Sequence, residues 1–259
     1  MEMLLSSLQN LSLLMRRSPK PCYFDKLPDE IVLKIINLAT GTNPFEPHNF
    51  LVDVISKIST RFKRLAADRS LWEGFVSIQG DTKMAKEVIQ EFLCYRVTIF
   101  EISNTHNEKH IKVGPTLSAV EITKMTTRCP RMEYLILNDL RIESWPTPSS
   151  PWLSLKAMIL RKVGTTCFVN VDLSSVAPNI EVFYLEGEGI GTNTMLPDMT
   201  NCERLREVML SYGNFLYPRK IPFPRGLKEL WRTMLPMSTR DSFSRAWLED
   251  HFEDCRMVL

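Results

Sequence analysis

Few side chains in this sequence of 259 residues have the types and spacing that chemistry needs. Gly187, Gly189 and Gly191 form a glycine-rich stretch after an apolar run, which could cradle a phosphate. G-x-G-x-G lacks the third-glycine spacing of a dinucleotide site, and no strong helix follows to offer its N-terminus, so the stretch reads as a turn. His106 and His110 are four apart, the spacing that brings two imidazoles to one face of a helix. The acid between them is displaced from the H-E-x-x-H order and the segment SNTHNEKH reads as a loop, so no metal site is expected. The six cysteines (Cys22, Cys94, Cys129, Cys167, Cys202, Cys255) include no C-x-x-C pair and no zinc-like His spacing. No Ser, His and Asp grouping stands out, and the four histidines supply no evident base for a nucleophilic cysteine. Cys255 is fifth from the end, whereas a prenylated cysteine is fourth. The expectation is a protein that is not an enzyme and holds neither a cofactor nor a metal.

What remains is recognition, and the bulk properties limit its kind. Basic and acidic residues number 32 and 30, with 44% apolar and 24% charged residues, which are ordinary values for a folded chain. Nucleic-acid binders concentrate Lys and Arg on one face; the even mixing here argues against that partner. The first residues, MEMLLSSLQNLSLLMRR, carry an acid before the apolar stretch and arginines after it, the reverse of a secretory signal. Leu4, Leu8 and Leu11 lie at helical spacing, so residues 1–22 read as a flexible or short amphipathic leader. No stretch reaches the roughly 20 apolar residues that span a bilayer. Reduced thiols and no membrane partner point to a cytoplasmic and/or nuclear location, and Arg16-Arg17 with Lys20 is too short a basic run to argue nuclear import.

The elements that would carry recognition begin with FDKLPDEIVLKIINLA. Pro28 suits the first helical position and Asp29 and Glu30 suit the positive end of the helix dipole. Ile31, Ile35 and Leu38 make one apolar stripe, which Val32 and Ile36 widen to more than half the girth. After a polar, proline-bearing link, Val52, Ile55, Ile58, Phe62 and Leu65 recur at three or four residues and imply a second and third helix. Ser56 and Ser59 permit a helix break there, because their hydroxyls can bond locally to the backbone.

In order and approximate spacing, Leu27-Pro28 followed by an acid and Ile31, Ile55-Ser56, Leu65-Ala66 with Asp68, and Leu71-Trp72 resemble the F-box motif. Phe62 stands where that family often carries Trp, and the link after the first helix is longer than usual. The resemblance implies a helical domain over 23–78 that binds a Skp adaptor protein and, through it, a cullin. By that resemblance the adaptor-binding residues are Leu27, Pro28, Ile31, Ile35, Ile55, Leu65, Leu71 and Trp72.

Residues 79–259 align with themselves. The pattern L-x-x-L-x-L is met by Val97, Phe100, Ile102; Met132, Leu135, Leu137; Leu155, Met158, Leu160; Ile180, Phe183, Leu185; and Leu205, Val208, Leu210. A weaker copy has Leu227 and Leu230 with Arg232 third. First positions are separated by 35, 23, 25, 25 and 22 residues, and all but the first step fit a leucine-rich repeat. Three residues before each first position stand Cys94, Cys129, Trp152, Ala177, Cys202 and Pro224, which makes these cysteines small buried hydrophobes. TKMAKEVIQEFL after Asp81 and TLSAVEITKMTT before Cys129 read as helices, and SWPTPSSPW as a loop. Cys129-Pro130-Arg131-Met132-Glu133-Tyr134-Leu135 is similar in style to F-box proteins with leucine-rich repeats.

The expected fold class is therefore α+β: an N-terminal three-helix F-box followed by a short leucine-rich-repeat α/β solenoid of about five or six repeats, with a C-terminal cap or tail. Alternate strand residues point to opposite faces, so the residue between the last two leucines of each repeat faces the concave surface. That column reads Glu101, Ile136, Ile159, Tyr184, Met209 and Trp231, and its apolar members are the expected substrate-binding residues. Asn138, Arg161, Glu186 and Ser211 flank it, and a tail after Trp247 could cover it. The expected function is the substrate-recognition subunit of a Skp, cullin and F-box ubiquitin ligase acting on an unknown protein substrate. The alternative is a non-degradative leucine-rich-repeat interaction scaffold.

Overall fold

The structure is a computed structural model that describes residues 23–41, 47–104, 116–145, 151–163, 168, 171–187, 193–211, 214–216, 223–233 and 256–258. The chain divides into two compact units, Met1–Leu71 and Trp72–Leu259.

In the first unit a 3-10 turn, Tyr23–Lys26, precedes α1, Asp29–Gly41. Short pieces follow: α2, Pro47–Phe50; a π-helical turn, Leu51–Ile55; α3, Ser56–Ile58; and α4, Thr60–Ala66. The break falls at Ser59, whose backbone is extended (φ −164°, ψ 169°) and whose hydroxyl accepts from the Phe62 N–H at 3.3 Å, capping α4. Ser56 closes the preceding turn by donating to the Val52 carbonyl at 2.5 Å. Val32 and Ile36 of α1 are buried, as are Leu51, Val52, Ile55, Phe62, Leu65 and Ala66.

The second unit is built on a parallel sheet. Its strands are β1 (Gly74–Gln79), β2 (Val97–Ser103), β4 (Tyr134–Asn138), β6 (Ala157–Arg161), β7 (Val182–Glu186), β9 (Glu207–Ser211), β11 (Glu229–Thr233) and β12 (Arg256–Val258), and they lie side by side in that order. Two small parallel pairs stand apart: β3 (Thr116–Leu117) with β5 (Arg141–Ile142), and β8 (Asn193–Met195) with β10 (Asn214–Leu216). Helices occupy only some connections. Helix α5, Thr82–Glu87, is capped by Asp81 and runs into a π-helical turn, Val88–Phe92. Helix α6, Ala119–Arg128, starts in a capping box between Ser118 and Glu121, and α7, Leu173–Val176, starts at Asp172.

These observations correct the expected fold class. The described chain is not α+β with a three-helix domain followed by a solenoid; it is α/β, organised on one eight-stranded parallel sheet. Among the described residues before that sheet there are four α-helices joined by a π-helical turn instead of three helices, because apolar spacing of three or four residues does not distinguish α from π winding. Between β9 and β11 no helix is present among the described residues, so a helix in every connection is not the rule here.

The inferred strand register is nonetheless what the sheet contains. Phe100, Leu135, Met158, Phe183, Val208 and Leu230 are successive Cα partners, and all are buried. Cys94, Cys129, Trp152, Ala177, Cys202 and Pro224 are buried as well. The core lies under one face of the sheet, where Trp145 stacks on Phe168 at 5.2 Å and Phe168 meets Phe183 edge-on at 6.4 Å. Parallel sheets are usually covered on both faces and read as continuous apolar runs. Here burial alternates along β4 and β7, so the opposite face is only partly covered.

Candidate functional site

Two surfaces collect the residues singled out by the sequence, one in each unit. In the first unit, α1 turns Val32 and Ile36 inward, and a rotation of about 100° per residue then sets their neighbours outward. Ile31, Ile35 and Leu38 are 41%, 40% and 72% exposed and lie at i, i+4 and i+7, a single apolar stripe. Leu27 is half-buried and Pro28 exposed at the head of that stripe.

The remaining adaptor candidates are placed differently. Ile55 and Leu65 are buried in the first unit, Leu71 is half-buried, and Trp72 is fully buried in the second unit against Phe92, ring centroids 5.0 Å apart. The side chains of Ile55, Leu65 and Trp72 serve cores, so the exposed set is Pro28, Ile31 and Ile35, with Leu38 added.

A clamp that the sequence did not disclose holds the head of α1. The Arg61 guanidinium donates to Asp29 Oδ1 at 2.9 and 2.7 Å, to the Phe24 carbonyl at 2.7 Å and to the Leu27 carbonyl at 2.5 Å. Arg64 donates to Asp29 Oδ2 at 2.5 Å. The bond from Arg61, despite some desolvation, holds the Asp29 carboxyl below its ordinary value, with the charges of both arginines assisting. Planar guanidinium forks suit this multiple bonding, which ties Leu27-Pro28 to α4. Thr60-Arg61 following a capping serine was the available signal, but nothing local pairs Arg61 with Asp29 thirty-two residues away.

In the second unit Glu101, Ile136, Ile159, Tyr184, Met209 and Trp231 are successive Cα partners across β2 to β11. The first five are half-buried, and the side chain of Trp231 lies outside the described residues. Glu101 accepts from Ser77 Oγ at 3.0 Å and from Asn138 Nδ2 at 2.9 Å. Tyr184 Oη donates to Glu186 Oε2 at 3.2 Å, and the Arg161 guanidinium sits 5.8 Å from the Tyr184 ring centroid, a cation–π contact. Burial, with Glu186 assisting, raises the Tyr184 hydroxyl above its ordinary range.

The strands carry a second column on the same face that the repeat pattern did not single out, exposed at Phe75 and Tyr134 and buried at Ala157. Two residues before the central one in each strand stand Phe75, Ile99, Tyr134, Ala157, Val182, Glu207 and Glu229, again in register. Phe75 is 52% exposed and Tyr134 38%. The period of two that yielded the first column also predicts this one. Strand β12 pairs at the edge beside β11, so residues 256–258 extend the sheet and do not cover its face. The rest of the tail after Trp247 lies outside the described residues.

Cys94, Cys129 and Cys202 are free and buried, and desolvation pushes the thiols of Cys129 and Cys202 up to about 12, far from a nucleophilic thiolate. Among the described residues no group of three or more His, Cys, Asp or Glu could hold a metal ion, and no helix is long and apolar enough to cross a membrane. Gly187 donates its N–H to the Ser211 carbonyl at 2.8 Å, one rung beyond the strand. Gly189, Gly191, His106, His110, Cys22, Cys167 and Cys255 lie outside the described residues.

Fold and surfaces thus define an α/β protein with two partly apolar, solvent-facing surfaces among its described residues. No protein-family model matches the chain, and no curated protein matches it.

Proposed function

We propose that this protein is a substrate-recognition subunit of a Skp, cullin and F-box type ubiquitin ligase. The first unit would bind the Skp adaptor and the open sheet face would bind the protein to be modified. The observation that carries the reading is the stripe Ile31, Ile35 and Leu38, apolar and solvent-facing on a helix whose opposite side is already packed. Contiguous exposed apolar surface marks interaction sites, and this stripe coincides with the Leu27-Pro28 head that resembles the F-box motif. A receptor of this kind needs no catalytic residue, because holding a substrate beside a conjugating enzyme raises its effective concentration.

The test is capture of purified Skp-type adaptor by the full chain, followed by co-capture of cullin. Capture by wild type and its loss on Ile31→Asp with Ile35→Asp is the expected result. Failure of the wild-type chain to bind the adaptor refutes the reading. Capture of adaptor and cullin with no protein accumulating when the chain is deleted from cells supports the non-degradative scaffold instead.

A further inference from the structure

The charges on the open sheet face do not balance, and their positions describe what would bind there. Arg161 stands opposite Glu186 as its Cα partner, so these two oppose each other in sign on neighbouring strands, and Glu229 is engaged in an interaction of its own. Two carboxylates are left over. Glu101 on β2 is held by Ser77 and Asn138, and Glu207 lies on β9; neither forms an ion pair with a described residue. Between them the face carries Asn138 and the opposed pair Arg161 and Glu186 along one row and is otherwise apolar, with Ile136 and Tyr134 on β4, Ile159 on β6, Val182 and Tyr184 on β7 and Met209 on β9.

We infer that this face receives an apolar segment of a partner protein flanked on both sides by Lys or Arg, one seated at Glu101 and the other at Glu207. The inference rests on the reading of the face as the substrate surface, and it names the class of segment that fits. Four strand-to-strand steps of about 4.8 Å separate β2 from β9, and Glu207 lies two residues, about 6.6 Å, along its strand from the position in register with Glu101, so the basic residues must lie about 20 Å apart. A helix covers that distance in about 13 residues and an extended chain in about six. The sign is set by the two carboxylates: an acidic segment or a phosphorylated one would meet like charge at both ends. Glu101 is the better oriented of the two, because its two hydrogen bonds fix the carboxylate before a partner arrives.

The experiment is selection of displayed random peptides of about 16 residues, long enough to span both carboxylates as a helix, on the immobilised full-length chain. Counter-selection uses Ile159→Asp with Tyr184→Ala. Recovered peptides are expected to carry Lys or Arg on both sides of an apolar cluster. They are expected to bind Glu101→Gln with Glu207→Gln about tenfold more weakly than wild type at low salt, a loss mostly erased at about 1 M salt. Glu207→Gln alone, which disturbs no side-chain hydrogen bond among the described residues, is expected to give about threefold. Peptides with neutral or acidic flanks, peptides indifferent to the face variant, or equal binding to the Gln variants overturn the inference. Adaptor capture by the same proteins is scored in parallel. Its loss with basic peptides still recovered refutes the ligase reading and leaves this inference standing, while the reverse result refutes this inference alone.

Discussion

Neighbouring isoleucines on α1 are expected to behave oppositely. Ile36 is 2% exposed and Ile35 is 40% exposed, a consequence of the angle between consecutive side chains on a helix. Ile36→Ala removes a buried side chain and leaves a cavity, which costs about 2 to 5 kcal/mol of stability. Ile35→Ala leaves the fold within about 0.5 kcal/mol of wild type. Its effect falls on binding. The exposed parts of Ile31, Ile35 and Leu38 together amount to about one and a half apolar side chains; at about 2 kcal/mol for each fully buried, docking would draw about 3 kcal/mol from the stripe. The triple alanine variant should therefore bind the Skp-type adaptor about 100-fold more weakly with an unchanged urea midpoint. Calorimetric titration and urea unfolding measured on the same preparations decide it. A triple variant that unfolds early, or one that binds within about twofold of wild type, refutes the assignment of the two faces.

Other consequences can be measured directly. Because Cys129 and Cys202 keep their protons in the folded state to about pH 12, while the unfolded chain releases them near 9, stability from these two groups is complete below about pH 9 and falls as pH rises to about 12. Urea midpoints taken across that range should fall less steeply for Cys129→Ala with Cys202→Ala than for wild type, and equal slopes would contradict the burial of the thiols. Ser118→Ala removes a cap whose oxygen accepts from the Val120 N–H at 3.3 Å, for a loss of about 1 kcal/mol seen as a lower thermal midpoint. Gly80→Ala brings a Cβ within 2.4 Å of Met84 Sδ and 2.9 Å of Met84 Cβ, so Met84 must shift, and a destabilisation of about 1 to 3 kcal/mol is expected by urea unfolding.

How legible the fold and the surfaces are in the sequence differs between the units for a physical reason. In the sheet, each strand repeats the same apolar pattern at 22 to 25 residues over most of its length, so spacing alone sets the register of residues such as Leu135, Met158 and Phe183. Alternation also yields the column of Ile136, Ile159 and Tyr184. The other column, with Phe75 and Tyr134, requires only the same rule applied two residues earlier. In the helical unit α1 is apolar over more than half its girth, so spacing could not decide whether Ile31 or Val32 faces inward. Ile55, Leu65 and Trp72 match a contact motif but are buried, since a pattern of apolar residues looks alike whether it packs inside or outside. The fold class failed for a related reason: helix winding and the presence of a helix in each connection depend on packing that no local pattern reports.

The monotonic strand order has a kinetic consequence. Successive strands from β4 to β11 pair across only 22 to 25 residues of chain, and β2 with β4 across 35 and β11 with β12 across 27, so no rung requires a distant closure. Closing such a loop costs about 3 kcal/mol in chain entropy, nearly the same at every step. Assembly can therefore begin at any adjacent pair of strands and spread outward. Opening should be equally local: amide hydrogen exchange would be fastest at the edge, where β12 contributes three residues, and slowest around β6 and β7.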